Sequence, residues 1–215
     1  MKIKACLFDL DGVIVDTAKY HFIAWKELAA DLGFEFTEEH NERLKGVSRM
    51  ASLDILLEIG GKYVRQDEKE RMANSKNERY VSLIKKMTPD EILPGVIRFL
   101  NELKNAGIKT AIGSASKNAP LILERLKLDS YFDAIIDGNK VSHAKPDPEV
   151  FLKGAEALGV HPSECVVFED AAAGVEAALN GNMKCIGIGE KEVLAKADKV
   201  IPGFENFSLE NLRMI

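Results

Sequence analysis

The residues with the clearest chemical meaning are two carboxylates, Asp9 and Asp11, which follow a largely apolar run at residues 3–8. A short apolar run bounded by turn residues is typical of a strand buried on both faces. Alternation along a strand points Asp9 and Asp11 the same way, and Gly12 lets the chain turn sharply. Carboxylates this close repel each other unless a cation or a shared proton intervenes. Mg²⁺ meets that need, and the pair could then act as nucleophile and proton shuttle.

The elements that must position this pair divide into two kinds. Residues 17–86 have helical periodicity and show no strand pattern. After Pro94 and Gly95, helices alternate with short apolar strands, which we predict at 109–113, 134–136, 165–168, 184–188 and 199–201.

This alternation predicts an α/β fold, a doubly wound parallel sheet with helices on both faces. The helical block follows the first strand and therefore reads as an inserted α-helical cap. We expect a core domain from residues 1–15 and 92–215 and a cap domain from residues 16–91.

Parallel sheets bind ligands at the carboxyl ends of their strands, where three further groups fall. Ser114 ends a strand just before a helix, so free amides and the helix dipole favour an anion there. Lys145 could neutralise Asp9 and an anion bound beside it. Glu169 and Asp170 would bring more carboxylate oxygen to a cation.

Each group also has a purely structural interpretation. Ser114 could cap the next helix, and Lys145 could be a solvated loop charge. Glu169 and Asp170 could cap the helix leading to Gly174. The occurrence of all these groups at the ends of one predicted sheet favours a catalytic site.

In order and spacing, these four segments resemble the motifs of the haloacid dehalogenase superfamily of aspartyl phosphotransferases. The resemblance implies a HAD-like Rossmannoid core in which Asp9 is the nucleophile and Asp11 the general acid and base. Ser114 and Lys145 would complete the catalytic set. The implied Mg²⁺ ligands are Asp9, Asp11, Glu169 and Asp170.

The helical block narrows the resemblance to the β-phosphoglucomutase family. The run 9–17 with His21 and Trp25 is similar to that family's opening, and the run 44–49 with Ser52 is similar to its cap signature. The resemblance implies interconversion of β-glucose 1-phosphate and glucose 6-phosphate, through an aspartyl phosphate and β-glucose 1,6-bisphosphate. The implied substrate-binding residues are His21, Lys45, Gly46, Val47, Ser48, Arg49, Ser52, Lys76, Ala115, Ser116, Lys117 and Asn118.

Such a mutase needs a second phosphate site, and the planar fork of Arg49 suits it. By the same resemblance, His21 and Lys76 would couple cap closure to the placement of Asp11, with hinges near Asp16 and residues 91–95. Structural alternatives remain here. Arg49 and Lys76 could be solvated helix charges, and His21 could be a satisfied, partly buried histidine, while we expect Trp25 to belong to the cap core.

The nearest competing function is a Mg²⁺-dependent phosphatase of a small sugar phosphate, in which water attacks the aspartyl phosphate. A catalytically silent binding protein would require the loss of groups that are all present. A dehalogenase fits poorly, because a halide leaving group does not need the proton that Asp11 would supply.

Composition limits the partners. A net charge of −5 argues against nucleic acid and anionic membranes, and no apolar stretch approaches the roughly 20 residues of a membrane span. Cys6, Cys165 and Cys185 fit no metal or disulfide pattern, so we expect reduced, buried thiols. With no signal peptide evident, we expect a cytoplasmic monomer that binds small sugar phosphates.

Overall fold

The computed structural model describes residues 3–44 and 47–215. Within these ranges, six parallel strands form one sheet in the order β3-β2-β1-β4-β5-β6. The strands are β1 Ala5–Phe8, β2 Lys109–Gly113, β3 Ala134–Ile136, β4 Cys165–Glu169, β5 Lys184–Ile188 and β6 Lys199–Ile201. The strand order reverses beside β1, which pairs with β2 on one side and β4 on the other. This doubly wound topology confirms the predicted fold class.

The helices occupy the remaining chain, and those of the block between β1 and β2 form a separate group. Among the described residues, this group is α1 Ala18–Asp31, α2 Glu38–Glu42, α3 Arg49–Ile59 and α4 Gln66–Ile84. The helices that follow are α5 Val96–Asn105, α6 Ala119–Leu126, α7 Glu149–Leu158, α8 Ala172–Asn180 and α9 Leu209–Arg213. Short 3-10 turns lie at Pro89–Glu91, Asp129–Tyr131 and Pro162–Glu164.

The sheet is buried on both faces, as its near-continuous apolar strands require. Successive side chains alternate between faces, so Phe8 and Phe168 contribute to one apolar layer while Leu7 and Val167 contribute to the other. Helices α5 and α6 cover the first face, and α7 and α8 cover the second. The predicted buried, unpaired state of the three cysteines is confirmed.

An aromatic cluster lies directly behind the ends of the two central strands. Phe8 and Phe168 stack with their ring centroids 4.8 Å apart, and Phe99 meets the edges of both rings. Phe204 and Phe207 extend the cluster towards the carboxyl-terminal segment. Because packed aromatic rings leave little freedom for their own backbone, this cluster fixes the strand ends that carry the acidic residues.

The helical block has an apolar core of its own. Trp25, Leu28, Leu53 and Leu56 are buried together between α1, α3 and α4. The two chain segments that join this block to the sheet contact each other, because Leu93 donates a backbone hydrogen bond to Ile14 over 2.9 Å. None of the helices in the described ranges combines the length and apolarity that a bilayer crossing needs.

We predict that Phe99→Ala lowers the free energy of unfolding by about 3–5 kcal/mol, the usual loss for a fully buried aromatic ring. Phe99 is 1% exposed and touches four other phenylalanines of the cluster. Urea unfolding would measure the change. The control is Ile23→Ala, at a side chain 39% exposed, and a loss no greater than that control's would contradict the prediction.

Candidate active site

The register between β1 and β4 brings two carboxylates together. Phe8 is aligned with Phe168, and the Asp9 amide donates to the Phe168 carbonyl over 2.9 Å. Asp9 and Glu169, the next residue on each strand, therefore lie side by side at the carboxyl edge of the sheet. Asp9 is 6% exposed and Glu169 only 1%.

Lys145 neutralises this buried pair. Its Nζ donates to Asp9 Oδ1 over 2.5 Å and also to Glu169 Oε1. Burial acts to lower the pKa of Lys145, but the charges of Asp9 and Glu169 outweigh it, so the net shift is upward. Lys145 is therefore a permanent buried cation, and its interpretation as a solvated loop charge is wrong.

The carboxylates outnumber this lysine. Burial raises the pKa values of Glu169 and Asp170; the charge of Lys145 opposes this increase and the neighbouring carboxylates add to it. Together with Asp9 and Asp11, they form a set of hard oxygen donors in partly dry surroundings, which is the chemistry that Mg²⁺ prefers. The donor set therefore fits a divalent cation.

Two glycines make room for these acids. A Cβ on Gly12, whose φ is +78°, would lie 2.1 Å from Asp170 Oδ2. A Cβ on Gly174 in α8 would lie 1.8 Å from Glu169 Oε1. Glu169 Oε2 also accepts from the amide of Ala171, so Glu169 does contact the start of α8 as well as Lys145. The interpretation of Glu169 and Asp170 as helix caps is wrong, because the N-cap of α8 is Ala171, which has no side-chain capping bond.

Asp11 occupies a different environment from Asp9. It accepts a hydrogen bond from Thr17 Oγ1, a hydroxyl that is fully buried. Burial, followed by the charge of Asp9, raises the pKa of Asp11 to about 7. A carboxyl with this pKa can hold or release a proton near neutrality, as a general acid and base must. The environments of Asp9 and Asp11 thus support different chemical roles.

The segment after β2 is a staggered series of hydrogen bonds. The Ser116 amide donates to Ser114 Oγ over 3.1 Å, and the Asn118 amide donates to Ser116 Oγ over 3.2 Å. Ser114 is 1% exposed and lies five residues before α6, whose N-cap is Asn118. The interpretation of Ser114 as a helix cap is therefore wrong. Its position beside the acidic residues suits an anion-binding hydroxyl.

The cap side of the site is cationic and partly dry. Lys76 Nζ lies 2.9 Å from His21 Nδ1 and 4.3 Å from the centre of the Trp25 ring. Burial and the nearby Arg49 lower the pKa of Lys76 to about 7, and burial with Lys76 holds the pKa of His21 well below its usual value. Lys76 is only 3% exposed, so its interpretation as a solvated helix charge is wrong. Trp25 is buried in the cap core, as predicted.

One cavity of about 400 Å³ unites these groups. The predicted residues that line it are Asp9, Asp11, His21, Val47, Ser48, Arg49, Ser52, Lys76, Ala115, Ser116, Lys117, Asn118, Lys145, Glu169 and Asp170. Ser114 lies behind the cavity wall, with its hydroxyl accepting from Ser116. Ser48 also caps α3, because its Oγ accepts from the amide of Ala51. Lys45 and Gly46 lie outside the described residues.

Sequence reasoning missed several supporting residues. No role was predicted for Thr17, whose Oγ1 donates to Asp11. Asp137 is 3% exposed and directly follows β3, so the rule that parallel sheets bind ligands at strand ends could have identified it. Its Oδ1 accepts from the amide of Asn139.

Other supporting residues hold loops in place. Glu149 accepts hydrogen bonds from the amides of Ser142 and His143, which fixes the loop before Lys145. Asn77 hydrogen-bonds to Asn118. His143 itself is exposed and borders the cavity.

Comparison with known proteins agrees with this geometry. Residues 3–182 match the family model described as haloacid dehalogenase-like hydrolase. The chain belongs to this family. The predicted superfamily is therefore confirmed, on a match that covers most of the chain.

Within this family, the chain is similar to β-phosphoglucomutases and to a phosphatase. The chain is 44% identical over 212 residues to a β-phosphoglucomutase of Bacillus subtilis, covering 97% of this chain and 93% of that protein. The crystal structure of a β-phosphoglucomutase from Clostridium difficile superposes with a TM-score of 0.94 at 45% identity, covering 99% and 96% of the two chains. A phosphorylated carbohydrates phosphatase of Thermotoga maritima is 35% identical, covering 85% of this chain and 83% of that protein.

We predict that Gly174→Ala weakens Mg²⁺ binding by roughly 10- to 100-fold, the range for disturbing the support of a metal ligand. The added methyl would overlap Glu169 Oε1 and displace that carboxylate. Isothermal titration with Mg²⁺ would measure the loss. Gly203→Ala is the matched control, because no atom lies within 4 Å of its Cβ position. Equal Mg²⁺ affinity in the two variants would contradict the prediction.

We also predict that Lys76 makes the metal-free protein more stable as pH rises. Its folded pKa of about 7 lies below the unfolded value, so between about pH 7 and 10.4 the unfolded state binds the extra proton. The free energy of unfolding should rise across this window, by at most about 1.4 kcal/mol per pH unit. Lys76→Met should remove this rise in urea unfolding, while Lys69→Met, at a partly exposed position of α4, should keep it. Parallel pH profiles for the wild type and Lys76→Met would disprove it.

Proposed function

We propose that this protein is a Mg²⁺-dependent β-phosphoglucomutase, an intramolecular phosphotransferase that interconverts β-glucose 1-phosphate and glucose 6-phosphate. The observation that carries the proposal is a single cavity lined by Asp9 and Lys145 and also by Arg49, Ser116, Lys117 and Asn118. We infer that Asp9 and Lys145 receive the reacting phosphate and that the second set holds the other phosphate. The extensive similarity to two β-phosphoglucomutases supports the same activity.

In the first half-reaction, phosphate is exchanged at Asp9. A carboxylate oxygen of Asp9 attacks phosphorus, and the bond from phosphorus to the donor's sugar oxygen breaks. The leaving sugar oxygen takes a proton from Asp11, whose pKa of about 7 suits the donation. Lys145, within 2.5 Å of Asp9, offsets the charge that opposes attack of one anion on another.

The phosphorylated Asp9 then gives its phosphoryl group to the sixth oxygen of β-glucose 1-phosphate, and Asp11 accepts that hydroxyl's proton. The resulting β-glucose 1,6-bisphosphate turns end for end and returns its other phosphate to Asp9, leaving glucose 6-phosphate. Arg49 would hold the phosphate that is not reacting, because its planar fork binds phosphate through two donors. The half-buried position of Arg49, which lowers its pKa, supports this role.

Four residues would hold Mg²⁺: Asp9, Glu169 and Asp170 through carboxylates and Asp11 through its backbone carbonyl. When bound, the ion would neutralise charge on the transferring phosphoryl group. Lys145 would keep Asp9 and Glu169 in place beside it, since Lys145 donates to both.

Residues 16–91 would act as a cap that closes over the sugar phosphate. Closure excludes water from the aspartyl phosphate and aligns the acceptor hydroxyl. His21 and Lys76 would contribute from the cap side, where their contact of 2.9 Å joins α1 to α4. The segments near Asp16 and residues 91–95, where Leu93 pairs with Ile14, would be the hinges.

A sugar-phosphate phosphatase would use the same core and let water attack the aspartyl phosphate. The phosphatase relative has lower identity and coverage than the two β-phosphoglucomutases, which makes this alternative the weaker one. The cationic group on the cap side also favours the mutase, because an isomerisation through a bisphosphate needs a second phosphate site.

We predict that the protein, supplied with Mg²⁺, β-glucose 1-phosphate and a trace of β-glucose 1,6-bisphosphate, forms glucose 6-phosphate far faster than it releases free phosphate. Coupled assays of both products in the same tube would measure the two rates. Asp9→Ala should abolish both, because the nucleophile is lost. Phosphate release without isomerisation would reject the mutase and support the phosphatase.

A further inference from the structure

One hydrogen bond crosses the cavity from the cap helix α4 to the phosphate motif. Asn118 Nδ2 donates to Asn77 Oδ1 over 2.9 Å, although the two residues are 41 positions apart. Both side chains line the cavity and are half-buried. Among the side-chain hydrogen bonds of the described residues, this is the one that joins α4 to residues 92–215.

The direction of Asn77 follows from helix geometry. Neighbouring residues of an α-helix point about 100° apart, so residues 76 and 77 face different surroundings. Lys76 turns into the cap, where it contacts His21 and Trp25. Asn77 turns out of the cap and meets Asn118 at the start of α6. Two adjacent residues of α4 thus have different partners: Lys76 contacts the cap, and Asn77 contacts the core.

Asn77 also completes the series of hydrogen bonds that begins at Ser114, directly after β2. Ser116 donates to Ser114, Asn118 donates to Ser116, and the Asn118 side chain donates to Asn77. The position of α4 is thereby coupled, through three short contacts, to the buried hydroxyl of Ser114 directly after β2. A shift of α4 away from the core must break the last contact.

We propose that Asn77 is a positioning residue that fixes the closed cap against the phosphate motif and so limits attack of water on the aspartyl phosphate. This inference rests on the proposed function and deepens it. Asn77 accepts with its carbonyl and keeps two N–H groups for the cavity side, so it can retain Asn118 while a sugar phosphate is bound. Its loss would leave α4 without this anchor and would let water compete with the sugar hydroxyl.

The test is the ratio of glucose 6-phosphate formed to free phosphate released. Asn77→Ala should lower this ratio roughly three- to tenfold, the factor expected for one neutral hydrogen bond. Asn74→Ala, at an exposed position one turn earlier on α4, should leave the ratio at the wild-type value. Thermal unfolding of both variants checks that the fold is intact. If Asn77→Ala is unstable, Asn77→Leu repeats the test with a side chain of similar volume.

A second comparison tests whether Asn77 acts through Asn118. In an Asn118→Ala background, Asn77→Ala should change the ratio little, because the bond is already lost. An unchanged ratio in Asn77→Ala, or an equal drop with and without Asn118, would overturn the inference while leaving the mutase intact. A wild-type protein that releases only phosphate would overturn the proposed function and this inference with it.

Discussion

The site depends on one buried ion-pair arrangement, in which Lys145 lies between Asp9 and Glu169. All three side chains are nearly inaccessible to water, so each charge would be costly without the others. The arrangement is possible because β1 and β4 end in register and because the loop before α7 delivers Lys145 to the same point. Asp11 and Asp170 add negative charge that one lysine does not balance. This excess of carboxylates over lysine fits a divalent cation at the site.

Close packing around these residues restricts the positions of the carboxylates. The stacked rings of Phe8 and Phe168 lie immediately before Asp9 and Glu169, so the packing of the core sets the spacing of the two carboxylates. Gly12 and Gly174 leave no spare volume behind Asp170 and Glu169. A reacting group that must align to within a fraction of an ångström needs such support from rigid elements. The same rigidity explains why the acids follow strands rather than lie within long loops.

Sequence reasoning recovered the sheet well because its strands are short apolar runs between turn residues. The predicted strands at 109–113, 134–136, 184–188 and 199–201 have the bounds that the structure gives them. Helix α2 was predicted only as part of the helical block 17–86, and α9 was not predicted, since five residues give too little periodicity to recognise. Lys76 could be located but not shown to be buried, because α4 is polar along most of its length and only tertiary packing reveals which side faces inward. The bond between Asn77 and Asn118 has no local signature at all, because it joins two polar residues far apart in the chain.

The strand ends could be predicted and the contacts of the cap could not, because the two have different roles in the proposed reaction. Chemistry at phosphorus is carried by strand ends, where pattern and position coincide, so it can be inferred from a single sequence. In the proposed mechanism the cap decides between the sugar hydroxyl and water, and the side-chain hydrogen bond that joins α4 to residues 92–215 links two neutral amides. A single such contact changes a competition by about tenfold at most, whereas losing the nucleophile removes the reaction. On this proposal, a mutase and a phosphatase can share one core and differ in small, non-local contacts between the cap and that core.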